Sequence, residues 1–218
     1  MKANNLYRLL ILTVLLTFSH ISYAQILAWQ FALPEPTNGK EKSIVATTID
    51  ENLDKSSLTR GPGALKSAGN ARGFGANLIA CDTYADAKAA GAYFQFTVKA
   101  KKGYKVSLRT LSTIMRRQED AANKYLWTYS LDGKEFKELG DNDIAFETSE
   151  NVGERQPRIA LSEVSELQNV PYTTTIIFRV YAWGGKTNTS KKINFGIGKS
   201  GSKGNPALSV FGTVDKME

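Results

Sequence analysis

The chain has 218 residues, a formal net charge of +7, 42% hydrophobic residues, one cysteine and one histidine. That length and apolar content suit a single domain able to bury a core without disulfide staples, and the lone Cys81 forbids an intrachain bridge. The positive excess is diffuse: it favours solubility and could favour anionic glycans, but it has no cluster of the kind that binds nucleic acid.

The first 24 residues read as an export signal. Lys2 and Arg8 make a basic start, Leu9 to Phe18 is an apolar run too short to span a bilayer comfortably, and Ser22 and Ala24 are small residues at the positions a signal peptidase requires. Cleavage after Ala24 would leave residues 25–218 as one domain, exported to the periplasm or beyond the cell. The alternative is an uncleaved anchor. No later segment is apolar enough to span a membrane. The only histidine, His20, lies inside this signal. Its removal would exclude Ser-His-Asp and Cys-His catalysis and the His-Glu-x-x-His zinc site. Gly61-Pro62-Gly63 and Gly73-Phe74-Gly75 lack the Gly-Lys-Ser/Thr ending of a phosphate loop. What survives is a glycosidase-type carboxylate pair, Asp82 with Asp86 or Asp141 with Asp143, but these acids stand in turn-rich stretches where solvated loop acids are the simpler reading. The expectation is therefore a protein that is not an enzyme.

Downstream, Leu27, Trp29 and Phe31 alternate with Ala28 and Gln30 as a first strand that Pro34 and Pro36 end, with Trp29 on its core face. Ser43 to Ile49 reads as a second strand and Asn52 to Asn77 as a long irregular loop. Tyr84 to Ala90 has room for one or two helical turns. Cys81, beside Leu78, Ile79 and Ala80, reads as a small buried hydrophobe. Phe94, Phe96 and Val98 then alternate with Gln95, Thr97 and Lys99. After the polar turn Lys101-Lys102-Gly103, Tyr104, Val106 and Leu108 resume the alternation, which predicts an antiparallel hairpin. The phase break from Leu108 to Leu111 predicts a bulge or a bend between sheets.

Arg116 to Asn123 reads as a charged loop, and Tyr125, Trp127, Tyr129 and Leu131 as one face of the next strand, better suited to core packing than to ligand stacking. Asp132-Gly133 is a two-residue turn signal, and Gly140 to Pro157 reads as a polar excursion. In Thr173 to Trp183, Ile176, Phe178 and Val180 face one way, whereas Ile177, Arg179, Tyr181 and Trp183 face the other. Ile193 to Ile197 and Ala207 to Val214 complete the pattern. About ten short strands without a sustained helical period predict an all-β fold, a two-sheet antiparallel β-sandwich.

Taken in order, several pieces carry a resemblance: Ala28-Trp29-Gln30-Phe31, Leu58-Thr59-Arg60-Gly61, Tyr93 to Val98 with Gly103-Tyr104, Arg116-Arg117, Tyr129 to Gly133, Phe178 to Tyr181, and Leu208 to Val214. Together they resemble the jelly-roll modules of exported bacterial proteins that are similar to galactose-binding-like and carbohydrate-binding modules. Relatives often carry an acidic pair where this chain has Asn194 to Lys199. The resemblance allows a structural calcium ion, but no oxygen ligand set for one can be placed, and no other cofactor is implied.

Sugars bind to aromatic faces with planar polar groups nearby. The face of Arg179, Tyr181 and Trp183 has that mix, and Gln95 and Arg109 would join it if the hairpin lies in the same sheet, with Arg116 and Arg117 at the rim. Arg could hydrogen-bond hydroxyls or pair with uronate or sulfate. The competing reading is a solvated sheet face or a second packing layer. Two functions stay open. One is a secreted module that binds polysaccharide or cell-surface glycan; the other is a structural or adhesive envelope protein that contacts protein partners.

Overall fold

Alternation of apolar and polar side chains builds strands along most of the chain. The computed structural model describes residues 24–145 (the backbone alone over 141–145), 153–186 and 192–218. The expected export signal up to Tyr23 lies outside the described residues, and among these no helix is long and apolar enough to cross a membrane.

The strands form two antiparallel sheets. The larger contains β1 (Ala24–Trp29), β3 (Thr48–Ile49), β5 (Ala64–Ala68), β6 (Gly73–Leu78), β8 (Tyr104–Arg117), β15 (Asn194–Gly198) and β16 (Leu208–Lys216), in the order β3-β1-β16-β8-β15-β6-β5. Three two-residue strands, β11 (Glu154–Arg155), β12 (Ile159–Ala160) and β13 (Val170–Pro171), also pair with β8. The smaller sheet runs β10-β9-β14-β7-β4-β2, made of β2 (Ile44–Val45), β4 (Ser57–Arg60), β7 (Tyr93–Val98), β9 (Lys124–Ser130), β10 (Lys137–Ala145) and β14 (Ile176–Trp183). One helix, α1 (Tyr84–Ala90), precedes β7.

Between the sheets lies a core dominated by aromatic rings. Phe96 stacks on Phe178 at 5.0 Å and meets Trp29 of the larger sheet at 5.0 Å and Trp127 at 6.0 Å. Phe94 meets Phe74 at 5.7 Å and Phe195 at 6.1 Å, both from the larger sheet. Trp29 is buried and donates its indole N–H to the Ile44 carbonyl at 2.9 Å. Tyr125, Trp127 and Tyr129 are core residues as the pattern predicts. The two tyrosines keep polar tips, with hydroxyls donating to Gln156 Oε1 at 2.9 Å and Glu166 Oε2 at 2.6 Å.

The predicted hairpin of 94–108 is not formed. β7 and β8 belong to different sheets, and the link between them is a corner. Asp54 N–H donates to the Lys99 carbonyl and Lys101 N–H to the Asn52 carbonyl, which draws the chain aside after β7. Alternation reveals which face of a strand is buried but not which strand lies beside it. The phase break is real: Phe211 pairs with Thr110 and Gly212 with Leu108, leaving Arg109 as the extra residue of a bulge.

Residues 52–77, expected as a loop, contain β4, β5 and β6. Their signal is hidden because two of the three outward positions of β6, Gly73 and Gly75, are glycines. A Cβ on Gly73 would meet Asn70 Nδ2 at 2.6 Å and one on Gly75 would meet Asn70 Cβ at 3.0 Å. Gly196 on β15 faces the same side chain, so glycines let Asn70 lie flat on the sheet and donate to the Ile197 carbonyl at 3.1 Å. The second predicted strand is split, with β2 in one sheet and β3 in the other. Likewise Arg116 and Arg117, expected in a loop, end β8, and β10 extends from the expected excursion back to Lys137.

Gly196→Ala would place a methyl 2.5 Å from Asn70 Nδ2 and 2.6 Å from the Phe74 carbonyl. We expect it to cost about 1–3 kcal/mol in urea denaturation. Gly69→Ala, whose nearest neighbour would be 3.6 Å away, is expected to stay within about 0.5 kcal/mol of the parent.

Candidate functional site

With Phe94, Phe96, Phe178 and Val180 turned inward, the alternate residues of β7 and β14 face out. Strand register lines them up: Thr59 pairs with Gln95, Gln95 with Arg179, Arg179 with Thr128, and Thr128 with Glu138. Directly opposed residues share a face, so this is one polar row across five strands. Arg179 sits at its centre. Its Nε donates to Gln95 Oε1 at 2.8 Å and its Nη1 to the Tyr181 hydroxyl at 3.2 Å. The guanidinium carbon lies 4.2 Å from the Tyr93 ring centroid and 3.9 Å from that of Phe136. Two aromatic rings and two hydrogen bonds thus hold one planar cation in a single orientation.

Phe136 comes from the link between β9 and β10. The expected two-residue turn at Asp132-Gly133 is instead a longer connection, Leu131 to Phe136. Asp132 Oδ1 accepts from Lys134 N–H at 2.8 Å, Glu135 N–H at 3.0 Å and Ser130 Oγ at 2.9 Å. These bonds, the backbone one from Lys134 first, hold the Asp132 carboxyl below its usual range. A side chain folding back on its own backbone replaces the tight turn and brings Phe136 onto Arg179.

Tyr181 and Trp183 are the other half of the predicted platform. Both are covered, at 1% and 2% exposure. Tyr84 of α1 meets Tyr181 at 5.6 Å and Trp183 at 5.6 Å, and Tyr93 meets Tyr181 at 5.3 Å. The helix that covers them is short but well terminated. Thr83 and Asp86 form a capping box, and Gly91 ends the helix in the left-handed conformation at φ 70°. Trp183 and Tyr181 are therefore packed under α1 and offer no ring face to a sugar.

The remaining predicted residues are elsewhere. Arg109, Arg116 and Arg117 lie on β8 in the larger sheet, so they join neither the face nor the rim of the Gln95–Arg179 row. The sequence placed Arg109 there only through the hairpin that does not form. Arg116 Nη1 donates to Asn70 Oδ1 at 2.8 Å. Arg117 is buried and donates to the carbonyls of Ala122 at 3.0 Å, Glu119 at 2.8 Å and Ala121 at 2.8 Å, tying down the turn after β8. Of the seven, Gln95, Arg179 and Tyr181 touch.

No protein-family model matches the chain, and no curated protein is significantly similar to it. The site must be read from its own chemistry.

Asp86 is engaged in the helix cap, accepting from Thr83 Oγ1 at 2.7 Å. The side chains of Asp141 and Asp143 lie outside the described residues. Cys81 is buried, and burial pushes its thiol up. Among the described residues no group of three or more His, Cys, Asp or Glu gathers as a metal site would require. The sequence did not single out Tyr93 or Phe136 as partners of Arg179. Tyr93 could have been found, two positions before Gln95 on the same face.

The Tyr84 hydroxyl is buried without a hydrogen-bond partner, and burial, with the nearby Glu138 charge and Tyr181, pushes it up to about 12. The raised value favours the neutral form in the folded chain. Its stabilising share is complete below the unfolded tyrosine value of about 10 and is lost as pH rises through about 12. We expect Tyr84→Phe to be neutral or stabilising by up to about 1 kcal/mol near neutral pH, since no hydrogen bond is lost. Its stability should also fall less steeply than the parent's above about pH 10 in denaturation curves.

Proposed function

We propose that this protein is an exported, non-catalytic module that binds polysaccharide through the outer face of its smaller sheet, in the manner of galactose-binding-like jelly-roll modules. The observation that carries this reading is the fixed Arg179 guanidinium between Tyr93 and Phe136, centred in the row Thr59–Gln95–Arg179–Thr128–Glu138. Planar donors and acceptors held before a ligand arrives lose little freedom on binding, which is how a shallow polar face recognises hydroxyls. Export and the bacterial-module resemblance belong to the same proposal.

The test is a glycan array with the parent, Arg179→Ala and Arg179→Lys. The lysine variant keeps the charge but loses the fork that reaches Gln95 and Tyr181 together. We expect saturable binding to a polysaccharide by the parent, weakened at least about tenfold, or about 1.4 kcal/mol, in both variants with the melting transition preserved. Equal binding by all three proteins would refute the outer-face site. An envelope protein that contacts proteins instead would show no glycan binding in any form.

A further inference from the structure

The geometry points to a second binding site, on the larger sheet and meeting the Arg179 row only at Thr59, built for an acidic polysaccharide. Two adjoining hollows of ≈ 580 and ≈ 450 Å³ share Lys40, Lys66 and Ser67, so they form one groove. It starts between the sheet edges at β4 and β5 and runs over the outer face of β6 and β15. Lys66 pairs with Asn77 and Asn77 with Asn194, while Gln118 N–H donates to the Asn194 carbonyl at 2.9 Å. These four side chains line the groove on adjacent chain segments, a span of about 14 Å at ordinary strand spacing. A short run of sugar rings fits along it.

The wall that carries Lys40 and Lys42 is held firmly. Arg60 donates to the carbonyls of Glu41 at 2.6 Å, Gly39 at 2.8 Å and Gly75 at 2.9 Å, and its guanidinium carbon lies 3.6 Å from the Phe74 centroid. Asn70 N–H donates to the Asn38 carbonyl at 2.9 Å. The arginine is thereby committed to structure, and the lysines are left for a ligand. Lys40, Lys42 and Lys66 form no ion pair among the described residues, and no carboxylate lines either hollow. Glu41 turns away, its Oε1 accepting from Asn38 N–H at 2.9 Å.

Three ammonium groups that form no ion pair among the described residues set up a positive field along a polar trough, while the Glu41 carboxylate accepts from Asn38 N–H and answers the charge of Arg60. Their partner is anionic. Between them the trough offers amides and hydroxyls. Gln118 Oε1 is occupied by Asn194 N–H at 3.1 Å, which leaves its amide N–H groups to donate, and Ser43 and Ser67 add hydroxyls. Such groups match sugar hydroxyls. No aromatic ring lines either hollow, so the stacking platform that single-stranded nucleic acid needs is missing. An acidic polysaccharide, with carboxylate or sulfate on the lysines and hydroxyls on the amides, satisfies both sets.

Affinity electrophoresis of the full domain through polygalacturonate, dextran sulfate, neutral dextran and a single-stranded DNA competitor tests this. We expect retardation by the carboxylated or the sulfated polymer and none by dextran, weakening as salt rises. The exposed-site triple variant Lys40→Gln/Lys42→Gln/Lys66→Gln should bind at least about tenfold more weakly with an unchanged melting transition. Asn77→Ala should weaken binding without changing its salt dependence. No retardation by either acidic polymer would overturn the site, as would undiminished binding by the triple variant or equal binding to DNA. Acidic-polymer binding lost in Arg179→Ala but kept in the triple variant would overturn this groove while leaving the outer-face reading standing; the reverse pattern would support the groove.

Discussion

The inward face of β7 is the constraint on which the molecule depends. Phe94 and Phe96 are two residues apart on one strand and reach into the opposite sheet at two places, Phe94 to Phe74 and Phe195, Phe96 to Trp29. Within its own sheet Phe96 also stacks on Phe178 and meets Trp127. Each such aromatic pair contributes about 0.5–1.5 kcal/mol beyond the area it buries. Few alternatives satisfy all of them at once, so the relative placement of the two leaves follows largely from this strand.

The same strand settles what faces out. Period-two geometry that buries Phe94 and Phe96 obliges Tyr93, Gln95 and Thr97 to point away from the core. Cross-strand pairing with β14 then sets Gln95 against Arg179. Core packing and the outward row are consequences of one alternation. What the alternation leaves undecided is how much of the outer face stays open. The helix α1 closes the end at Tyr181 and Trp183, and Phe136 closes over Arg179 from the other side. Between them Gln95 and Arg179 stay half-buried, and Thr128 is fully covered. The larger sheet uses its outer face differently: glycines admit Asn70 at one end, and lysine and amide side chains line a hollow at the other.

Much of this was legible in the residues. Alternation in 94–98 and 176–180 correctly divided core from exterior, whereas Tyr181 to Trp183 are buried on both faces, and the break at Leu108 marked the bulge that carries Arg109. The aromatic stripe Tyr125-Trp127-Tyr129 was readable as core because Leu131 extends it. The failures have a common cause. Strand partners depend on long-range pairing, so the apparent hairpin was really a corner between sheets. Strands whose outer positions are glycine show no alternation, which hid β6 beneath an apparent loop. The covered state of Trp183 depended on where a seven-residue helix would pack, and its capping box shows where the helix starts, not what it covers. The acid-free groove was the least legible feature, because Lys40, Lys66, Asn77 and Asn194 come from four separate segments and meet only in the folded sheet.

The ligand proposed for the outer face of the smaller sheet would be held at the preset Arg179 guanidinium. The most direct measurement is a nitrogen–proton NMR titration of the labelled protein with an oligosaccharide from the polymer it binds. The account predicts shifts concentrated at the Arg179 Nε–H and the Gln95 side-chain amide, saturating together, while the buried indole signals of Trp29 and Trp183 stay in place. Saturating shifts confined to other surfaces, with the Arg179 and Gln95 signals unmoved, would contradict it.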